Sequence, residues 1–167
     1  MEKTINVKDS RMYGLVALYD MHTDFYAKVL DGISEADAQN RLGTSANHIA
    51  WLAGSMLQER FELAGWFGTK MEQRHDELFR NRQGIKDGQE YPPLADFVAD
   101  WKRITPILRD ILVNLSAEKA DSIFEMEGMK MTHFELLSFD VYREANIIGQ
   151  LVLWRRLLGY AAMKYED

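Results

Sequence analysis

Cysteine is absent from this 167-residue chain. That one absence removes disulfides, thiolate metal sites and cysteine nucleophiles together. It suits a reducing compartment, and the cytoplasm is the expected location. Proline is scarce, at three residues, which argues against a disordered or fibrous chain. Long apolar runs are missing too. The most apolar late stretch is broken by Gln150 and Arg155, so no membrane span is expected. Residues 1–9 contain no apolar signal region. Basic charge is in deficit: 20 Lys and Arg against 26 Asp and Glu leave a formal charge of -6. An acidic surface repels phosphate backbones, and no local basic patch offsets it, so nucleic acid is not an expected partner.

What is present is a chain able to build a core. Apolar residues make up 47% and charged residues 28%. A chain of this length buries roughly 70% of its unfolded surface. One domain over residues 1–167 is expected, without internal repeats. Met12, Leu15, Val16, Tyr19, Tyr26 and Leu30 recur at three- and four-residue steps, which predicts a first long helix over 10–30. Gly32 supplies its stop, and Ser34 is placed to cap a short helix. Ile49, Leu52, Ala53, Met56 and Leu57 predict a second long helix, ending near Gly65 or Gly68. Residues 69–91 carry no clear long-helix pattern and read as a long, mostly polar connection, often a functional feature.

Pro92-Pro93 opens the third long helix, whose stripe is Phe97, Trp101, Ile104, Leu108, Ile111, Leu112 and Leu115. Pro106 lies inside it and predicts a kink. Residues 124–131 read as a connector around Gly128. Thr132 and Glu135 form a capping-box pattern that opens the fourth long helix, which runs to about Gly159. No strand-period run competes. The pattern predicts an all-α four-helix bundle with one long cross-connection.

Two segments carry a family resemblance. The first is Arg143-Glu144-Ala145-Asn146-Ile147-Ile148-Gly149-Gln150-Leu151, followed by Arg155-Arg156-Leu157-Leu158-Gly159. The second is Gly43-Thr44-Ser45-Ala46-Asn47-His48-Ile49-Ala50-Trp51-Leu52-Ala53-Gly54-Ser55-Met56. They resemble the DinB-like family, which includes bacillithiol-transferase-type enzymes and carries H-E-A-x-H-x-G-Q-I/L and G-T-x-x-N-x-I-x-W-x-x-G-H-L/I. The resemblance covers nearly the whole chain. It implies a DinB-like four-helix bundle and a homodimer. Leu153 and Leu157, off the main stripe of the fourth helix, offer apolar surface for the dimer.

The resemblance also implies where a metal would sit. The three histidine ligands of the family map onto Ser55, Arg143 and Ile147. Serine is a weak ligand, isoleucine is none, and arginine stays protonated. Two unit charges at ~4 Å and an effective dielectric near ~20 interact by about 4 kcal/mol, and a divalent ion doubles the repulsion. No metal and no cofactor are therefore expected, and the thiol-activating chemistry of the family does not carry over.

Arg143 gives the sharper expectation. It should face the former metal cavity, as an anion site or in an ion pair with Glu59 or, failing that, Asp140. Ser55, Gln150 and His48 are the further polar candidates, with Ile147 on the same wall. Among the aromatics, Trp51 is expected beside the cavity and Trp101 in the core. His22 is expected to pack on the first helix, His75 to lie on the surface and His133 to sit in the first turn of the fourth helix. Three functions follow. The first is a metal-independent DinB-like protein that binds a small anionic ligand in the bundle cavity. The second is a homodimeric structural or interaction protein. The third is a thiol-transferase-like enzyme with a relocated metal held by His48 with Glu59 or another carboxylate.

Overall fold

The first long helix is α1, Met12–Leu30. It stops where the apolar stripe stops: Asp31 leaves the helical region and Gly32 takes φ +71°. That left-handed geometry is cheap only for glycine. The structure, a computed structural model, describes residues 5–166. Part of the N-terminal stretch read for a signal region, residues 1–4, lies outside them. Ser34 Oγ accepts from Asp37 N at 3.2 Å and caps α2, Glu35–Ala38. The second long helix, α3, is Ile49–Trp66, and the third, α4, is Leu94–Asn114. Helix α4 runs through Pro106 as one element. A short helix α5, Ala117–Asp121, follows.

The connector around Gly128 adds one small sheet to a mostly helical chain that stays compatible with an all-α fold. It is a hairpin of β1, Ile123–Met126, and β2, Met129–Thr132, paired antiparallel with Met126 opposite Met129. The turn holds Glu127 and Gly128, and Gly128 supplies φ +75°. Each strand is four residues long, too short to impose a visible period on the sequence. Thr132 then closes a reciprocal capping box with Glu135 and opens α6, His133–Leu157.

The described residues are mostly helical, with this one small sheet. Helix α1 packs on α4 and α6, and α3 packs on the same two. Buried apolar residues of all four long helices form one core, among them Val16, Tyr26, Leu52, Leu57, Phe97, Ile104, Leu137 and Leu151. No helix among the described residues is long and apolar enough to cross a membrane.

The long connection is tied down at both sides. On α3, Gln58 Nε2 donates to Asp76 at 2.8 Å, and Gln73 Nε2 donates to Gln58 at 2.5 Å. On α4, Asp100, 1% exposed, accepts from Arg74 N at 2.7 Å. His75 Nε2 lies 3.0 Å from Asp96. Phe79 fills the space over Gly54, where a side chain would collide with its ring.

Candidate functional site

Four parts of the chain enclose a cavity of about 380 Å³. Helix α3 lends one stripe: Trp51, Ser55, Gln58, Glu59, Glu62 and Trp66. Steps of three and four residues keep these on one helix face. Helix α6 lends Leu136, Phe139, Asp140 and Arg143 by the same rule. Strand β2 lends Met129 and Met131, whose two-residue spacing puts both on one face of the hairpin. The long connection closes the remaining side with Phe79, Arg82 and Gln83. Asn81 and Arg82 take φ +59° and +54°, the left-handed region that non-glycine residues rarely occupy.

Arg143 lies on this wall, its side chain 33% exposed. Nη1 pairs with Glu59 Oε2, and Nη2 donates to Ser55 Oγ at 3.1 Å. Glu59 is thus the partner, and Asp140 is not. Burial lowers the guanidinium pKa, and the nearby charge of Glu144 opposes that shift.

Asp140 is the other ionisable group of note. It is 6% exposed, and its Oδ2 has no hydrogen-bond partner among the described residues. Burial pushes its pKa up to about 8, helped by the charges of Glu144 and Glu62. Trp51 Nε1 is a second buried polar atom without a partner among the described residues. Both residues line the cavity.

Three of the expected cavity residues lie elsewhere. His48 is the N-cap of α3, with φ -78° and ψ 169°. Its Nδ1 accepts from Trp51 N at 3.1 Å, and its ring meets Tyr91 edge-on at 4.9 Å. Burial pushes its pKa down to about 4, which keeps the ring a neutral acceptor. A cap residue leaves the helical backbone, so the seven-residue step from His48 to Ser55 does not put the two on one helix face. Ile147 is buried in the core, 5% exposed. Gln150 is exposed and donates to Asn146 at 2.7 Å. It lies seven residues beyond Arg143, about 10 Å along the helix, past the end of the cavity.

A buried polar cluster adjoins the cavity, and the sequence did not single it out. Arg60 is 1% exposed and sandwiched between Tyr19 and Trp101, 3.8 Å and 3.5 Å from the ring centroids. Its Nε and Nη2 donate to the two oxygens of Glu144 at 2.5 and 2.9 Å. Its Nη1 donates to Thr23 and Thr105 at 2.9 and 3.0 Å. His22 Nδ1 lies 3.1 Å from Glu144 Oε2, so this ring is an ion-network member as well as a packing residue. Burial raises the Glu144 pKa, but Arg60 and the His22 hydrogen bond outweigh it and hold the carboxyl below its ordinary range. One clue was legible: Arg60 stands between Leu57 and Phe61 on an otherwise apolar face.

Among the described residues, no three or more His, Asp or Glu side chains come together in a way that could hold a metal ion. No family model matches the chain, and no curated protein matches it.

Proposed function

We propose that the chain is a DinB-like four-helix bundle that binds a small anionic ligand with an apolar body, without metal. The observation that carries this reading is the contact between Ser55 and Arg143 at the cavity wall. They occupy two of the three positions at which the resembling family holds its metal. A cavity of this size lies within the usual range for small-molecule sites. Trp51, Trp66 and Phe79 offer an aromatic body flat surfaces, and Arg143 offers an anion a charged donor. A metal relocated to His48 and Glu59 draws no support from the geometry. Eleven residues of rise set those two roughly 16 Å apart along α3.

The test uses 8-anilinonaphthalene-1-sulfonate, an aryl anion whose fluorescence reports binding. Arg143→Met should weaken its binding about tenfold to a hundredfold, as loss of a charged hydrogen bond implies. Because this single substitution leaves Glu59 half-buried and without its cation, the Arg143→Met, Glu59→Gln double variant is needed alongside. It should recover the fold without recovering the binding. Wild-type affinity in both variants would sink the reading.

A second reading is a homodimer formed through α6, and one observation favours it. Phe139, Tyr142, Leu153 and Leu157 are 55%, 65%, 55% and 57% exposed. With the hydrogen-bonded pair Asn146 and Gln150 at the centre, they lie along one stripe in three- and four-residue steps. Large apolar groups stand at both ends of the stripe and polar ones in the middle. Such a stripe suits a two-fold, antiparallel pairing with a second copy of itself. Light scattering should give a dimer mass, and Leu153→Lys with Leu157→Lys should give a monomer. A monomeric wild type at working concentration would refute it.

A further inference from the structure

We propose that Asp140 is a second recognition group of the cavity. It stands in its acid form and donates a hydrogen bond to an oxygen of the ligand's anionic head. The inference rests on the reading of the cavity as an anion site. It adds a ligand class, aryl oxyanions such as carboxylates and sulfonates, and a pH limit on their binding.

The surroundings of Asp140 argue for the acid form without reference to any ligand. On its own helix, Glu144 lies one turn on, and its charge is fixed by Arg60 and His22. Arg143 is committed to Glu59 and Ser55. From α3, Glu59 and Glu62 share the cavity wall with it, and from the long connection Arg82 does. From α1, Tyr19 borders a small void together with Asp140 and Glu144, and its hydroxyl donates to Thr105 O at 2.9 Å. Helix α4 contributes only Leu108 and Leu112 there. A buried carboxylate facing Glu144 and Glu62, with Arg143 and Arg60 paired to other residues and Arg82 exposed, is more stable neutral than charged.

A neutral carboxyl has a hydroxyl to donate. Trp51 Nε1 is a donor only, and it too lacks a partner among the described residues. With Glu59 Oε2 ion-paired to Arg143, the acid form of Asp140 and the Trp51 indole both ask for an acceptor oxygen. The N–H donors of Arg143 left over from Glu59 and Ser55 face an oxyanion, and the aromatic wall supplies the surface for an aryl body. Ionising Asp140 would remove one donor and add a negative charge beside the bound anion. Affinity then falls as pH rises.

Anilinonaphthalene sulfonate is again the probe, because its sulfonate stays charged across the range tested. Its dissociation constant should rise about tenfold or more between pH 6.5 and pH 9 in the wild type. Asp140→Asn keeps a donor and cannot ionise, so it should bind with a flat profile, and Asp140→Ser serves if the amide does not fit. In ligand-free protein labelled with carbon-13 at aspartate carboxyls, the resonance missing from Asp140→Asn should titrate near pH 8. A resonance titrating below pH 5 would overturn the proposal. So would a flat wild-type profile, or an Asp140→Asn profile that still falls with pH; in both cases the anion-binding reading would survive. Failure of the wild type to bind the probe at any pH would overturn both.

Discussion

Glu144→Ala should destabilise the protein by about 3–5 kcal/mol, the cost of leaving a buried charge without its partner. The charge at risk is Arg60. Its guanidinium is held between the Tyr19 and Trp101 rings and is 1% exposed, so it has no short route to solvent. After the substitution only the hydroxyls of Thr23 and Thr105 and the two ring faces remain to it. Against a total stability of roughly 5–15 kcal/mol the loss is large. At roughly 2–4 °C per kcal/mol it lowers Tm by about 6–20 °C. Replacing Arg60 by Met and Glu144 by Leu together should recover much of this, because an apolar pair of similar volume carries no unpaired charge. A loss under about 1 kcal/mol in urea unfolding would show that the cluster is hydrated in solution.

The same cluster sets a direction with pH. The Glu144 carboxyl is held below its ordinary value of 4.5 in the folded chain. Its stabilising contribution is present above that value and is lost as pH falls through the folded pKa. The gap between wild type and Glu144→Ala should therefore narrow in acid. Asp140 acts in the opposite sense. Its pKa rises from 3.8 to about 8 on folding, so between those values the folded state keeps a proton that the unfolded chain releases. Stability from this group falls as pH rises across that window.

The helices were legible because each long one repeats its apolar residues at helical steps. The expected start at residue 10 lies two residues before Met12, and the Thr132 and Glu135 capping box forms as read. The Arg143 and Glu59 pair is legible for a similar reason: both sit in regular helix, and Glu59 lies one turn beyond Ser55, the position the resemblance sets against Arg143. The hairpin was not, because four-residue strands leave no pattern to count. The place of His48 is not legible either, because helical spacing does not extend to a cap residue. Arg60, Glu144 and His22 were missed for a different reason. Arg60 and His22 stand 84 and 122 residues from Glu144, and nothing local connects them. In the sequence Asp140 stands out only as an alternative partner for Arg143. What sets it apart, burial beside other carboxylates, is a property of the folded arrangement.

Gly54→Ala should cost about 1–3 kcal/mol, although alanine is normally the better helix residue by about 1 kcal/mol. The helix alone would favour the change, so the sign of the result locates Phe79. A methyl group at position 54 would collide with Phe79 Cζ and stand 2.6 Å from Cε1 and Cε2. The ring cannot yield easily. It is 4% exposed and packs against Phe97 at 5.8 Å and Tyr91 at 5.9 Å. The segment carrying it is bound to α3 through Gln58 and to α4 through Asp100. Phe79 also walls the cavity, so displacing it should weaken probe binding along with stability. Phe79→Leu in the Gly54→Ala background should return part of both losses, a coupling that independent sites would not show. If Gly54→Ala proves more stable than wild type and binds the probe as well, Phe79 does not sit over Gly54 in solution. The wall that the long connection gives the cavity would then fall with it.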